Sequence, residues 1–247
     1  MTESKAKKQE GYLWWSREPA VGVFAVLPLW LCYELLRLTL APRERNGAEA
    51  LLSETVRFLG PHGFVVARVL LGAIVVGAAV LIARRRIPWL RVSAVTALEG
   101  LVYALILGPL AASLQSEAAR LLALQAGRQA EDPLVANLIG SLGAGIFEEL
   151  LFRLIMVSVL ALFLMRATGA FGLPRALGGI GAVLISAVLF ALFHHVGPGA
   201  APFERSEFLF RSIAGAVLGL LFVVRGFGVC VYTHAFYDVH YYLTAPP

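Results

Sequence analysis

The chain has 247 residues, of which 59% are hydrophobic and 15% charged. That balance excludes a soluble globular domain and fits an all-α, polytopic transmembrane helix bundle. A net charge of +5 does not make nucleic acid a partner, because the basic residues sit mostly in short connections between apolar runs, where they act as topology signals.

Residues 1–19 carry Lys5, Lys7, Lys8 and Arg17 ahead of the first apolar run. No small-residue cleavage site closes that run, so a cytoplasmic N-terminal segment and an uncleaved first span are expected. Residues 20–247 then form a single integral membrane domain. Runs of about twenty apolar residues predict seven spans, at 20–40, 64–83, 92–113, 134–165, 178–197, 207–224 and 227–244, or eight if the fourth run is broken. Pro, Gly and Arg punctuation predicts connections at 42–63, 84–88, 169–174 and 197–202. Residues 114–132 space polar side chains through Leu and Ala, which suits an amphipathic surface helix and equally an extension of the third span. There is no internal repeat.

The Lys/Arg residues before the first span and Arg84, Arg85, Arg86 and Arg91 place one face in the cytoplasm. Arg166, Arg175 and Arg225 fall on the same face, and the C terminus lies outside. Lysine occurs three times and arginine eighteen, which with abundant Ala, Leu and Gly points to a GC-rich bacterial genome and so to the bacterial cytoplasmic (inner) membrane. Cys32 and Cys230 each lie inside an apolar run and read as core residues, supporting neither a disulfide framework nor a cysteine metal site.

Three spans carry ionisable clusters, and such residues in a membrane face the bundle interior or a wet cavity. In Phe147-Glu148-Glu149-Leu150-Leu151-Phe152-Arg153, Glu149 and Arg153 are four apart on one helical face and can neutralise each other. Glu148 lies about 100° around the helix from Glu149 and is left over. An unpartnered carboxylate in a low-dielectric site suits a general base; the plain alternative is that both acids share Arg153 as a packing clamp. The fifth run closes with His194 and His195, which taken alone read as interfacial residues. In the last run His234 and Asp238 are four apart, so the carboxylate can orient the ring, or the two can form a self-satisfied pair. Glu148, His194 and His234 suit either a divalent metal or a directly activated water, and spacing does not choose between these. No H-E-x-x-H helix is present.

Glu148-Glu149-x-x-x-Arg153, Phe190-x-x-x-His194 and His234-x-x-x-Asp238, in this order on successive late helices, resemble the CPBP family of CAAX proteases and bacteriocin-processing enzymes, including its myxosortase-like subgroup. The resemblance covers residues 134–244. It implies a glutamate-type intramembrane endopeptidase with no catalytic metal or other cofactor, acting near the C terminus or anchor of a membrane-associated protein. On that pattern Glu148 activates the water, His194 helps position it, His234 serves the oxyanion, and Glu149 with Arg153 supports the site. Asp238 stands where family members often have Asn. An ionised Asp cannot donate to an oxyanion, so Asp238 is assigned to orienting His234. Gly215 and Gly219 match the family's small-residue motif and read as a close helix approach, while Arg211 is expected to pair with Glu207.

Two other functions are compatible with buried Glu and His residues: a proton-linked transporter, whose inverted repeat is not visible here, and a non-enzymatic immunity or regulatory protein of the membrane. The fourth run spans roughly 48 Å as a helix at ~1.5 Å per residue, against a hydrocarbon core of about 30 Å. With Arg166 at the cytoplasmic boundary, Glu148 and His194 are expected in the outer half of the bilayer.

Overall fold

A bilayer core offers no water to satisfy peptide groups, so an apolar chain closes its hydrogen bonds within helices. The computed structural model describes residues 11–40, 46–58, 60–122, 134–196, 200 and 202–244. The helices are α1 (Tyr12–Trp15), α2 (Pro19–Leu40), α3 (Gly47–Phe58), α4 (Gly63–Arg84), α5 (Trp89–Leu122), α6 (Leu134–Glu148), a π-helical segment (Glu149–Val157), α7 (Ser158–Ala170), α8 (Arg175–Phe193), α9 (Arg205–Arg225) and α10 (Phe227–Thr244). No strand occurs among the described residues.

Among the described residues six stretches are long and apolar enough to cross a membrane: Pro19–Leu40, Gly63–Arg84, Trp89–Ala118, Leu134–Ala170, Arg175–Phe193 and Arg205–Arg225. The expected seventh, 227–244, is helical over its whole length but is not among them. The reason is its position. Residues Phe227 to Ala235 are buried without interruption, packed among α5, α6, α2 and α9. A helix surrounded by protein needs little of the apolarity that lipid demands and can carry His234, Asp238 and His240. By contrast α4 turns Val65, Val69, Leu70, Ile74 and Val76 outward, each more than half exposed, as a lipid-facing helix does. The fourth run stays one continuous stretch, Leu134–Ala170, so an eight-span arrangement does not arise from it.

Two connections differ from expectation. Residues 42–63 hold the twelve-residue helix α3, whose start is signalled by Asn46-Gly47-Ala48-Glu49, a capping residue followed three positions later by Glu. The third span continues as one helix to Leu122, which realises the extension for 114–122, while 123–132 lie outside the described residues.

Successive spans alternate in direction, which gathers Arg17, Arg84, Arg85, Arg86, Arg91, Arg166, Arg175 and Arg225 at one end of the bundle. That end is clamped. Arg225 binds Glu99 through two bonds, Nε to Oε1 at 2.6 Å and Nη2 to Oε2 at 2.8 Å, and the Tyr12 hydroxyl donates to the same carboxylate. Arg85 pairs with Glu18 at 2.8 Å. Gly226, at φ 91°, turns the chain from α9 into α10, and a Cβ there would lie 2.5 Å from the Ser16 carbonyl oxygen and 2.9 Å from the Arg17 Cα. Residues 12–18 are thereby pinned beneath the α9–α10 corner.

Removing one partner of a buried ion pair costs about 3–5 kcal/mol, since the other charge is stranded. Arg225→Ala is therefore expected to lower the folded yield and the thermal midpoint in detergent, measured by size-exclusion chromatography after heating. Arg17→Ala, at an exposed position of the same end, should leave both unchanged.

Candidate active site

The site begins where α6 ends. Gly145 lies one turn before the two acids, and a Cβ there would sit 2.6 Å from Ala235 Cβ and 2.8 Å from its backbone nitrogen. Only glycine allows α6 to approach α10 this closely, and the approach brings Glu148 and Glu149 to His234. Residues 149–157 then wind as a π-helix. Such wide turns recur at functional sites, and here the Phe152 carbonyl receives the Ser186 hydroxyl at 2.8 Å.

Glu149 is fully buried and its carboxylate is saturated. Oε1 lies 3.0 Å from Arg153 Nη1 and 2.6 Å from His234 Nδ1, while Oε2 accepts from the Cys230 thiol. Arg153 reaches on to the Gly215 carbonyl at 3.3 Å and lies over the Phe190 ring, 4.4 Å from its centroid. Phe190 also meets Phe152, His194 and His234 edge-on, at 5.3, 4.8 and 6.0 Å. The sequence-derived pair of Glu149 and Arg153 is thus present, as the centre of a larger network.

Glu148, 4% exposed, is bonded differently. Its Oε1 accepts from Asn46 Nδ2 at 2.8 Å. Its Oε2 has no hydrogen-bond partner but faces two imidazole nitrogens, His194 Nε2 at 3.7 Å and His234 Nε2 at 4.0 Å. His194 is held from behind: its Nδ1 lies 2.9 Å from the Phe190 carbonyl. A carbonyl can only accept, so Nδ1 carries the hydrogen, and in the neutral ring Nε2 is the acceptor turned toward Glu148. His195 instead packs edge-on against Phe203, 5.1 Å between centroids.

His234 departs from expectation. Asp238 was assigned to orient it, but Asp238 Oδ2 is 3.5 Å from Nε2, while Glu149 lies 2.6 Å from Nδ1. The buried Glu149 is the orienting carboxylate; the part-exposed Asp238 flanks the other nitrogen. One helical turn separates His234 from Asp238, which makes them neighbours at 3.5 Å, a longer contact than the one to Glu149. The glycines of α9 read as expected, since a Cβ at Gly215 would lie 3.1 Å from Phe190 Cδ1 and one at Gly219 2.8 Å from Val183 Cγ1. Arg211 faces Glu207 at 3.7 Å. Among the described residues no group of three His, Cys, Asp or Glu side chains is arranged to hold a metal ion.

Sequence reasoning missed Asn46 and the hydrogen-bonding role of Cys230. Asn46 had a local signal, its capping pattern, though nothing local points it at Glu148. Cys230 had none, because an apolar run around a cysteine reads as core.

Residues 130–240 match the family model described as type II CAAX prenyl endopeptidase Rce1-like. That segment, which holds every residue of the three motifs, belongs to the CPBP and CAAX-protease family. The matched family is one of endopeptidases, and together with the long apolar helices it supports an integral membrane protein. No curated protein and no solved structure matches it.

Glu149→Ala and Arg153→Ala each leave an uncompensated charge at a fully enclosed position, a loss of about 3–5 kcal/mol. Both should abolish folded yield in detergent extracts, whereas Asp238→Asn, at a part-exposed position, should extract like the wild type.

Proposed function

We propose that this protein is an intramembrane endopeptidase that hydrolyses a peptide bond near the C terminus or anchor of a membrane-associated protein, using water activated by Glu148. The observation that carries the reading is the free Oε2 of a buried carboxylate facing two differently held imidazoles. Separations of 3.7 and 4.0 Å exceed a hydrogen bond and suit a water seated to one side of the three atoms. That water donates to Glu148 Oε2 and to His194 Nε2, which leaves an oxygen lone pair aimed outward.

In the reaction the water oxygen attacks the peptide carbonyl carbon and its proton passes to Glu148. His234 donates from Nδ1 to Glu149 and acts as an imidazolium, so that Nε2, turned toward the substrate, also carries a proton and donates it as a hydrogen bond to the developing oxyanion. Glu148 then gives its proton to the leaving amine as the C–N bond breaks, which returns the carboxylate. Asp238, being an acceptor when ionised, steadies the Nε2 edge of His234 without donating to the oxyanion. The network of Glu149, Arg153 and Cys230 holds the assembly without taking part in proton transfer.

Glu148→Gln keeps shape and polarity but cannot take the water's proton. It should lower cleavage by at least ~100-fold, the lower end of what a positioned base contributes, with folded yield unchanged. The check is C-terminal proteomics of membrane proteins from cells expressing the wild type or the variant. Identical termini in the two would remove Glu148 from the mechanism.

The two ends of the bundle support a reading of the substrate's side of the membrane. His194 caps the end of α8 opposite Arg175, and Asn46 enters from that same end. Arg37, Arg57 and Arg211 lie at this end, while the unbroken series from Arg84 to Arg86, with Arg91, Arg166, Arg175 and Arg225, lies at the other. The positive-inside rule supports a site open to the outer half of the bilayer of a bacterial cytoplasmic membrane, working on anchors of exported proteins. Cys230 is fully buried and can stay, so Cys32→Ala suffices as background. A cysteine at Val196 should react with a membrane-impermeant thiol reagent on intact cells and one at Arg175 should not. The reverse pattern inverts the topology.

A further inference from the structure

Glu148 needs more than its own helix to present one oxygen to a water. A glutamate side chain has several rotatable bonds, and of the partners that fix the neighbouring Glu149 His234 comes near it, at 4.0 Å, too far for a hydrogen bond. The residue that does comes from outside the segment matched to the family, which begins at residue 130.

Asn46 stands at the start of α3, and its amide is held at both ends. Its Oδ1 accepts from the Ala48 backbone N–H at 2.8 Å, an N-terminal cap, and its Nδ2 donates to Glu148 Oε1 at 2.8 Å. This pairing settles the amide's orientation, because a backbone N–H demands an acceptor and a carboxylate a donor. The first turn of α3 is itself anchored on two sides. The buried Glu49 accepts from the Tyr33 hydroxyl on α2 at 2.6 Å. At Gly47 an added Cβ would lie 3.3 Å from Cε1 of Phe193, the residue before His194.

We infer that Asn46 is a positioning residue for Glu148: its amide nitrogen holds Oε1, so that Oε2 alone is presented between His194 and His234. The inference rests on the proposed role of Glu148 as base. It assigns to the N-terminal part of the chain a share in the site beyond membrane anchorage. The charged and titratable groups around Glu148 are Glu149 and Arg153 on its own stretch, His194 on α8, His234 and Asp238 on α10, Arg211 on α9 and Glu49 on α3. Asn46 adds a neutral donor to this set, a group that binds a carboxylate without taking or giving its proton.

The test uses full-length protein in isolated membranes and a synthetic peptide spanning a cleavage site that wild-type membranes cut. Asn46→Ser and Asn46→Asp both keep a capping oxygen for Ala48, so folded yield should match the wild type, yet neither donates to Glu148 as the amide does. Each should lower kcat about 10–100-fold, the range of one hydrogen bond to a charged group, with KM little changed. In N46D a second carboxylate faces Glu148, so the acidic limb of the rate profile should also move to higher pH. Glu148→Gln is run alongside. If Glu148→Gln membranes cut as fast as the wild type, the Glu148 reading fails and this inference with it. If Glu148→Gln is inactive while both Asn46 variants keep wild-type rates and pH profile, the inference alone is overturned. It is overturned equally if their activity falls only in proportion to folded yield.

Discussion

The contact between Glu149 and Arg153, at 0% and 1% side-chain exposure, is the constraint on which the rest of the catalytic half depends. Ions out of water persist only where partners replace their hydration, so each charge recruits groups from other helices. Glu149 takes His234 and Cys230 from α10, and Arg153 takes the Gly215 carbonyl from α9 and the Phe190 ring from α8. One ionic centre thereby sets the relative positions of four helical elements. A shift of any of them by one turn would strand a charge, which makes the arrangement specific in a way that apolar packing in lipid is not.

Two adjacent glutamates therefore have opposite fates. Glu149 is consumed by structure, with both oxygens engaged. Glu148, one residue earlier, has one oxygen held by Asn46 and one facing the imidazoles. The winding changes between them, from α to π, so the neighbours point to different environments despite their adjacency. Such a division, a saturated carboxylate beside a partly free one, is what a site needs when one acid must stay put and the other must exchange protons.

The bundle's two ends differ in kind. At the arginine end the clamp of Arg225, Glu99 and Tyr12 and the close approach at Gly226 fix residues 12–17 under α9 and α10. At the other end α8 stops at Phe193 and α3 meets it from the side, which places His194 near a surface while Glu148 and His234 remain buried. Between them α10 runs through the centre, apolar and wholly buried at its start and increasingly polar and exposed toward Thr244. A central helix can be this polar because its neighbours, and not lipid, are its solvent.

What the sequence determined by itself was set by local spacing and by the cost of charge in lipid. Apolar runs located the spans within a few residues, and the i, i+4 relation paired Glu149 with Arg153. Three charged clusters in an apolar background marked Glu148, His194 and His234 as residues that had to meet. It did not foresee that α10 is enclosed by its neighbours or that 42–63 holds a helix, because hydropathy measures a segment against an assumed solvent and cannot see which segments are enclosed by protein. Only the tertiary structure decided that Glu149, 85 residues away in the chain, outranks Asp238 as the partner of His234, that Asn46 reaches Glu148 across 102 residues, and that Cys230 is a donor to a buried carboxylate. Spacing along one helix says which side chains can be neighbours; which of them are bonded depends on the distances at which separate helices pack, here set by glycines at 145 and 215 and by the ion pair they enclose.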